Sequence, residues 1–362
     1  MLYHFCQGGG GDISGDCYNS LAISKSGSIG TLGILRDTMC GNRAVINIDV
    51  QENADLDYIF YLLKYKHQEI VSKAVGSIQK NLYVSALQTI ELCHDDVADQ
   101  KRIIRVLKSL DEKRRNNNSI CSDLEAMSKL LYDYWFVQFD FPDENGKPYK
   151  SSGGKMVWNE QLKRDIPEGW AKKEVSAIAN IVANSVTPHP DIEYRHYSIP
   201  AFDENGMPVE ESGANINSNK YLVPENAILV SKLNPQFKRI WVISDSNERS
   251  ICSTEFIPFV SIEGHKEYLY SLLNSDAFHT YMVQCSSSST GSRTRMDPEL
   301  CLRFTFASPK DNALIEKYCK TVAPMLSKIE ELKDENHHLA SLRDFLLPLL
   351  MNGQAMVSKH DK

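Results

Sequence analysis

The sequence predicts an α+β protein in which two α/β globules alternate with two long helices. Three observations lead to this prediction: an internal repeat, two long apolar stripes with helical spacing, and a turn-rich connector near the middle of the chain. The length of 362 residues suits two domains, and the apolar fraction of 42% is ordinary for a folded protein. The expected order is therefore globule, helix, connector, globule, helix.

The internal repeat relates the first half of the chain to the second. Residues 21–25 (LAISK) correspond to 228–232 (ILVSK), and residues 58–63 (YIFYLL) correspond to 268–273 (YLYSLL). The loop Gly76-Ser77-Ile78-Gln79 corresponds to Gly291-Ser292-Arg293-Thr294. At one constant offset, Leu110, Leu124 and Leu131 correspond to Met325, Leu339 and Leu346. Repetition at this scale predicts two copies of one structural unit.

The two long helices are predicted from about Val97 to Tyr134 and from Ala313 to Leu350. Asn117 and Asn336 interrupt their apolar stripes, as register-fixing asparagines do in coiled coils. The pattern favours a coiled coil, and the alternative is two ordinary amphipathic helices that belong to separate cores. The residues of the two stripes are Ile103, Leu107, Leu110, Leu124, Met127 and Leu131, and Val322, Met325, Ile329, Leu332, Leu339, Leu342 and Leu346.

The connector begins where the first helix ends in a cluster of aromatic residues. Aromatic side chains bury large areas, so we expect this cluster to dock the helix end onto a globule. Residues 142–154 are then rich in Pro, Gly, Asn, Asp and Ser, which favour turns over helix or strand. The aromatic residues are Tyr132, Tyr134, Trp135, Phe136, Phe139 and Phe141.

Charge and cysteine content exclude several classes of protein. The nine cysteines form no C-x-x-C pair, so structural disulfides and zinc are not expected and a reducing cytoplasm is the expected compartment. No apolar run approaches the length needed to cross a membrane. The net charge of −7 argues against a free-standing nucleic-acid binder, so positive charge must be sought locally.

In the first globule, two loops carry candidate DNA-binding residues. Ser24, Lys25 and Ser26 end a predicted strand in a Ser/Gly loop, whose hydroxyl and backbone N–H groups could meet phosphates or base edges. The alternative for this loop is a plain hairpin turn. The second loop carries Ser77, Gln79, Lys80 and Asn81, residue types that read base edges or bind the backbone, and its alternative is a solvated surface loop.

The second globule repeats both loops with more positive charge. Its candidate residues lie after the corresponding strand, in the segment that follows, and in the corresponding donor-rich loop. Because arginine is the commonest specific contact to guanine, the recurrence of this loop favours DNA binding. The candidates are Ser231, Lys232, Lys238, Arg239, Arg293, Thr294 and Arg295.

Residues Asn234-Pro235-Gln236-Phe237 imitate the Asn-Pro-Pro-Tyr/Phe motif of amino-methyltransferases. The second proline is absent and no Gly-rich cofactor loop precedes the motif suitably, so we interpret it as a turn. The alternative, that the chain is itself a methyltransferase, predicts binding of S-adenosylmethionine. The histidines show no metal-ligand spacing, and no metal or catalytic site is predicted.

The sequence resembles the specificity (S) subunits of type I restriction–modification systems. The resemblance covers nearly the whole chain and is most specific at the connector. It is carried by residues 124–127 (LEAM), 131–142 (LYDYWFVQFDFP), 145–154 (NGKPYKSSGG), 166–170 (IPEGW), 342–348 (LRDFLLP) and 351–353 (MNG).

This resemblance implies two target recognition domains and two spacer helices that pair antiparallel, related by a pseudo-twofold axis. It implies a non-catalytic subunit that recognises a bipartite site in double-stranded DNA and directs two methyltransferase (M) subunits and restriction (R) subunits to it. S-adenosylmethionine, ATP and Mg are expected on those partner subunits, with no cofactor here and no membrane partner. The helices would bind the methyltransferase subunits through aromatic and aliphatic faces.

The resemblance also divides the chain. We expect recognition domain 1 at 1–96, a spacer helix at 97–136, a connector at 137–164, recognition domain 2 at 165–309, a spacer helix at 310–352 and a tail at 353–362. Segment 165–207 has no counterpart before Met1, so recognition domain 1 is predicted to be N-terminally incomplete. An alternative function follows from this: a coiled-coil scaffold that binds methyltransferase subunits without full DNA recognition.

Overall fold

The computed structural model describes residues 3–7, 20–37, 43–51, 54–76, 80–92, 96–288 and 293–357. The first part of the chain contains β1 (Tyr3–Gln7), β2 (Ser20–Ser24), β3 (Leu32–Leu35), β4 (Val45–Val50), α1 (Leu56–Tyr65), α2 (His67–Ser72), α3 (Val84–Leu87) and α4 (Val97–Tyr132).

The second part begins with β5 (Met156–Asn159), β6 (Arg164–Pro167), β7 (Trp170–Glu174), β8 (Ala179–Ile181), β9 (Ser185–Val186), β10 (Glu193–Tyr197), α5 (Ile199–Asn205), β11 (Val209–Ser212), β12 (Lys220–Leu222), β13 (Ile228–Ser231) and β14 (Ile240–Val242). It continues with β15 (Ser250–Ser253), β16 (Phe256–Ser261), α6 (Lys266–Asn274), α7 (Asp276–Cys285), β17 (Ser287–Ser288), β18 (Thr294–Arg295), α8 (Pro298–Leu302), β19 (Thr305–Pro309) and α9 (Ala313–Met351).

The chain forms two compact units. Unit 1 comprises residues 1–118 and 334–362, and unit 2 comprises residues 119–333. Each long helix therefore contributes one segment to each unit. The predicted α+β class and both long helices are confirmed, whereas the predicted boundaries of recognition domains and spacers divide the chain differently and stay a prediction. No helix in the described ranges has the length and apolarity that a membrane span requires.

Unit 1 is built on an antiparallel sheet with the strand order β1-β4-β2-β3. Period-two alternation in β2 and β4 buries Leu21, Ile23, Ile46 and Ile48 in a core that α1 covers. Helix α1 starts where the Asp55 carboxylate accepts a hydrogen bond from the backbone N–H of Tyr58.

The helix segments of unit 1 pair antiparallel. Leu107 of α4 and Leu347 of α9 lie in the same core, and the guanidinium of Arg343 donates to the Asp111 carboxylate at 2.7 Å. Farther along α4, the amide of Asn117 donates to Oδ1 of Asn336 at 3.0 Å. The partner's number falls as the α4 number rises, which is the signature of antiparallel pairing, and both asparagines lie on the seam as predicted.

In unit 2 the corresponding segments also pair antiparallel. The Tyr318 hydroxyl donates to the carbonyl of Ser128 at 3.4 Å, and the Lys333 ammonium donates to Glu125 at 3.3 Å. The alternative was two amphipathic helices that belong to separate cores. It is wrong in that the helices pair with each other, but each pair of helix segments does pack into the core of its own unit.

The helix register corrects two members of the predicted stripes. Met127 is 52% exposed and its neighbour Ser128 is buried on the seam, while Leu342 is 45% exposed and its neighbour Arg343 is buried. Arg343 can take a seam position because Asp111 and Asp344 accept its hydrogen bonds. Hydrophobicity alone therefore assigned the wrong residue at these turns.

The aromatic cluster of the connector docks as predicted. The ring centroid of Phe136 lies 4.8 Å from that of Tyr268 and 5.1 Å from that of Tyr318, and Phe141 stacks on Trp170 at 5.4 Å. Tyr134 is the exception, since its side chain is exposed. The cluster belongs to the core of unit 2.

The two units repeat one sheet topology. In unit 2, a four-stranded sheet has the order β8-β16-β13-β14, which matches β1-β4-β2-β3 of unit 1 strand for strand and pairing for pairing. Unit 2 adds a five-stranded sheet with the order β11-β10-β15-β12-β9, and the described part of unit 1 contains no counterpart of it. The internal repeat is thus confirmed in three dimensions.

The repeat also shows where the two units differ in length. Residues 8–19 connect β1 to β2, whereas residues 182–227 connect β8 to β13 and carry four strands of the additional sheet. Because β1 occupies the position of β8, much of the difference lies between β1 and β2. This corrects the expectation that it lies entirely ahead of Met1.

Candidate functional site

The Ser/Gly loop of unit 1 is the turn of the β2–β3 hairpin, which was the plainer of its two interpretations. The Ser24 hydroxyl donates to the Ser28 carbonyl and accepts the backbone N–H of Thr31 at 3.0 Å, so it serves the turn itself. Gly30 has a φ of +85°, and a Cβ there would lie 3.0 Å from the His67 ring. Ser24 is therefore a poor candidate for a DNA contact, whereas Ser26 is half-buried beside it.

Lys25 lies next to the second predicted loop of unit 1. Its carbonyl accepts the backbone N–H of Leu82 at 2.8 Å, and Asn81 forms a two-hydrogen-bond bridge with Val75. Lys80 is exposed between them. The fold thus brings Ser24–Ser26 together with Lys80 and Asn81, which are far apart in the sequence.

Two of the predicted residues in this loop, Ser77 and Gln79, lie outside the described residues. Their placement stays a prediction.

Unit 2 repeats this arrangement with the same backbone bonds. The Lys232 carbonyl accepts the N–H of Met296 at 3.0 Å, as the Lys25 carbonyl accepts that of Leu82. The backbone N–H of Lys232 donates to the Glu255 carbonyl at 2.9 Å, as that of Lys25 donates to Ala44 at 2.8 Å. Leu233 bridges to Arg295, so the hairpin β17–β18 lies against the loop that follows β13.

Ser231 is a correction to the predicted site. Its side chain is buried, with 3% of the residue exposed, and its hydroxyl donates to the Leu233 carbonyl at 3.1 Å. It is the last residue of β13, an interior strand whose four residues are all buried.

Three of the predicted basic residues of unit 2 have partners within the protein. Arg239 donates two hydrogen bonds to Asp203, at 2.6 and 2.8 Å, and Arg295 donates to both oxygens of Glu255. The Lys238 ammonium donates to the carbonyl of Asn274 at 2.7 Å.

These contacts also shift pKa values. The Arg239 hydrogen bond lowers the pKa of Asp203, the Glu255 hydrogen bond raises that of Arg295, and burial lowers that of Lys238. Each of these charged groups is thus engaged with the protein, and DNA contacts by Lys238, Arg239 and Arg295 stay a prediction.

Other predicted side chains are available. Arg293 is exposed, Lys232 is half-buried, and within the described part of the chain neither side chain makes a hydrogen bond or an ion pair. In unit 1, Lys25 is half-buried and Lys80 is exposed, and neither side chain makes a hydrogen bond or an ion pair among the described residues. Thr294 instead positions the site, since its backbone N–H donates to Oδ1 of Asn234 at 3.0 Å and its carbonyl accepts the N–H of Asn234.

Two residues that were not predicted as site residues also lie at the loop that follows β13. Segment 234–237 is a turn, as predicted, in which the N–H of Phe237 donates to the Asn234 carbonyl at 2.9 Å. However, Gln236 and Phe237 are exposed beside the β17–β18 hairpin. A lone aromatic residue in an otherwise polar loop is the sequence signal that could have identified them. Across the described residues, no group of His, Cys, Asp and Glu is arranged to hold a metal ion.

The sequence of this chain matches one family model and is similar to two known proteins. Residues 16–126 match the model of a family described as the type I restriction modification DNA specificity domain. The specificity subunit of the type I restriction enzyme MjaIX from Methanocaldococcus jannaschii is 22% identical over 353 residues, which cover 94% of this chain and 78% of that protein. The specificity subunit of the HindI enzyme from Haemophilus influenzae is 20% identical, with 84% and 79% covered.

The fold has a counterpart among solved structures. The crystal structure of a type I restriction–modification S subunit from M. genitalium superposes with a TM-score of 0.57, at 16% sequence identity. The match covers 96% of this chain and 93% of that one. Similarity at this level of identity establishes the shared fold.

Proposed function

We propose that this chain, which belongs to the specificity subunits of type I restriction–modification systems, selects the DNA sequence on which such a complex acts. The observation that carries the proposal is the repeated loop pair. Each unit places a strand-end lysine, Lys25 or Lys232, against a second donor-rich loop through the same backbone hydrogen bond. Two equivalent reading surfaces suit a target with two separate half-sites.

Within each surface, the unpaired cations supply the contacts to phosphate, and the neighbouring polar and arginine side chains contact base edges. Lys25 and Lys80 contact phosphate in unit 1 and Lys232 does so in unit 2, where Arg293 contacts base edges. The negative net charge of the chain does not oppose this role, because partner subunits can contribute further phosphate contacts. The chain itself performs no chemistry, and its partners bind S-adenosylmethionine, ATP and Mg.

The methyltransferase subunits dock on the segment of unit 2 that runs from Ile120 in α4 to Val137 in the π-helix Asp133–Val137, which continues α4. Large apolar side chains follow one another there at spacings of seven, three, four and three residues, which place them on one exposed helix face. A contiguous exposed apolar stripe of this kind marks a protein interface. Two methyltransferase subunits and the restriction subunits complete the assembly. The stripe consists of Ile120, Met127, Leu130, Tyr134 and Val137.

One observation favours a second candidate function. Among the described residues, unit 1 lacks the five-stranded sheet that unit 2 carries. A chain whose unit 1 does not read DNA would retain the apolar stripe and act as a scaffold for methyltransferase subunits.

Single-molecule methylome sequencing tests both candidates. Cells that express this chain with its methyltransferase are compared with cells that express the methyltransferase alone. We expect a new bipartite methylated motif. A motif with a single defined half would show that unit 1 does not read DNA. An assembled complex without any new methylation would contradict DNA selection and favour the scaffold.

A further inference from the structure

The loop between β13 and β14 of unit 2 is held rigidly against the β17–β18 hairpin. Asn234 has a φ of +48°, a conformation that a residue other than glycine rarely adopts. Its backbone N–H donates to the Thr294 carbonyl at 2.8 Å, and its Oδ1 accepts the Thr294 N–H at 3.0 Å.

Further contacts fix the rest of the loop. Nε2 of His279 lies 2.9 Å from the Pro235 carbonyl, so the ring donates to it. The Thr294 hydroxyl donates to Oε1 of Gln236 at 3.4 Å. The loop is therefore tied to α7 on one side and to β18 on the other, and its tip cannot fold back onto the unit.

At this tip, the ring of Phe237 is 57% exposed. The guanidinium of Arg239 covers one face of the ring, 5.3 Å from the centroid. Asp203 holds Arg239 in place with two hydrogen bonds, so the covered face stays covered. The other face and the edge of the ring remain free. A single exposed apolar side chain is ordinary on a surface, but this one is held in place by Arg239 at the tip of a fixed loop.

We propose that Phe237 packs against the C5-methyl group of a thymine in the major groove of the half-site that unit 2 reads. The inference rests on the proposed function and names a base contact within it. Thymine is the base that displays an apolar group in the major groove, and phenylalanine is among the side chains that contact it. Insertion between two base pairs would require both faces of the ring, and Arg239 already occupies one.

The neighbouring residues fit this placement. Gln236 precedes Phe237 and accepts a hydrogen bond from Thr294, which Arg293 precedes; both Gln236 and Arg293 are exposed and carry donors that suit base edges in the same groove. Phe237 then selects thymine at one position through an apolar contact, while the cations supply affinity that does not depend on the DNA sequence.

The test removes the C5-methyl group of thymine and leaves the rest of the base unchanged. Once the methylome of the wild-type complex has given the target, each thymine of the half-site assigned to unit 2 is replaced in turn by deoxyuridine. Affinity is measured for the assembled complex with wild-type chain and with Phe237→Ala. We expect one replacement to weaken the wild-type complex about fivefold, as the loss of one buried methyl group does. The same replacement should leave the Phe237→Ala complex unchanged.

Two further variants complete the design. Phe237→Leu keeps an apolar side chain and should retain part of the discrimination. Ile262→Ala removes an equally exposed apolar side chain elsewhere in unit 2 and should retain all of it. The proposal is overturned if no replacement weakens the wild-type complex, if Phe237→Ala still discriminates thymine from uracil at the position where the wild-type complex does, or if the half-site contains no T·A pair. If the wild-type complex binds all sequences equally, the proposed function itself is overturned.

Discussion

Asn117 is a buried polar residue on the helix seam of unit 1. Its amide donates to Glu335 at 2.8 Å and to Asn336 at 3.0 Å, but its own Oδ1 is buried without a partner among the described residues. A buried acceptor that makes no hydrogen bond costs free energy, and a seam asparagine is retained for register more than for stability.

Replacing Asn117 with leucine should therefore stabilise the chain. We expect Asn117→Leu to raise the free energy of unfolding by about 1 kcal/mol, because the unpaired acceptor disappears and apolar area is buried. Glu335 and Asn336 are half-buried and can recover hydrogen bonds from water. Urea unfolding followed by circular dichroism measures the change as a shift of the midpoint at constant slope.

The neighbouring Asn116 provides the matched control. It is exposed, so Asn116→Leu should change the free energy of unfolding by no more than about 0.5 kcal/mol. A net loss of stability in Asn117→Leu would show that the asparagine pair stabilises the seam more than its orphan acceptor costs.

At the scale of the element, helix α4 has two apolar faces in unit 2. One face carries Cys121 and Tyr132 into the core, and the other carries Met127 and Leu130 into solvent. An amphipathic helix of a globular protein normally needs only the first. The second face is therefore the one that we propose contacts the methyltransferase subunit.

Leu130→Glu tests this face. Leu130 is 66% exposed, so the substitution should leave the fold intact, whereas a carboxylate buried in an apolar interface costs several kcal/mol. We expect the methyltransferase subunit to be lost when the tagged chain is purified from cells that express both.

Ser122→Glu is the control, because Ser122 is exposed on a different face of the same helix segment. It should retain the methyltransferase subunit. Unchanged recovery of that subunit with Leu130→Glu would place the docking surface elsewhere on the chain.

At the scale of the whole molecule, Lys25 and Lys232 occupy equivalent positions in the two units. Their backbone bonds match, and their side chains are without hydrogen bonds or ion pairs in the described ranges. Two independent phosphate contacts should contribute additively to binding, since they lie in different units.

The quantity compared is the slope of the logarithm of the binding constant against the logarithm of the salt concentration. We expect Lys25→Met and Lys232→Met each to reduce the magnitude of this slope by about one, and the double variant by about two. The measurement is the dissociation constant of the assembled complex as a function of KCl concentration. Each lysine that contacts a phosphate releases counterions on binding, and methionine cannot replace that charge.

Lys238→Met is the control for charge alone, because the Lys238 ammonium donates to the Asn274 carbonyl and lies 3.8 Å from a carboxylate oxygen of Asp276. The salt dependence of DNA binding by the Lys238→Met complex should match that of the wild-type complex. If Lys25→Met has no effect while Lys232→Met does, unit 1 does not contact DNA, and the scaffold alternative gains support.

The sequence by itself determined the α+β class, the repeat and both long helices. Apolar residues at helical spacing persist for more than thirty residues in each helix, so the pattern predicts a helix despite individual polar residues within it. The aromatic connector was recognisable for a similar reason, since rings of that size must be buried somewhere. Equivalent loops could be paired because the repeat aligned them.

Only the tertiary structure decided which residues of those loops are available. Arg239 meets Asp203 and Arg295 meets Glu255 across 36 and 40 residues of sequence, so these pairs depend on strand register and cannot be read from neighbouring positions. The same is true of the exposed Phe237, which looked like part of an unremarkable turn. Sequence patterns report how each segment buries its apolar face, whereas the partner of a charged side chain is set by where distant segments meet.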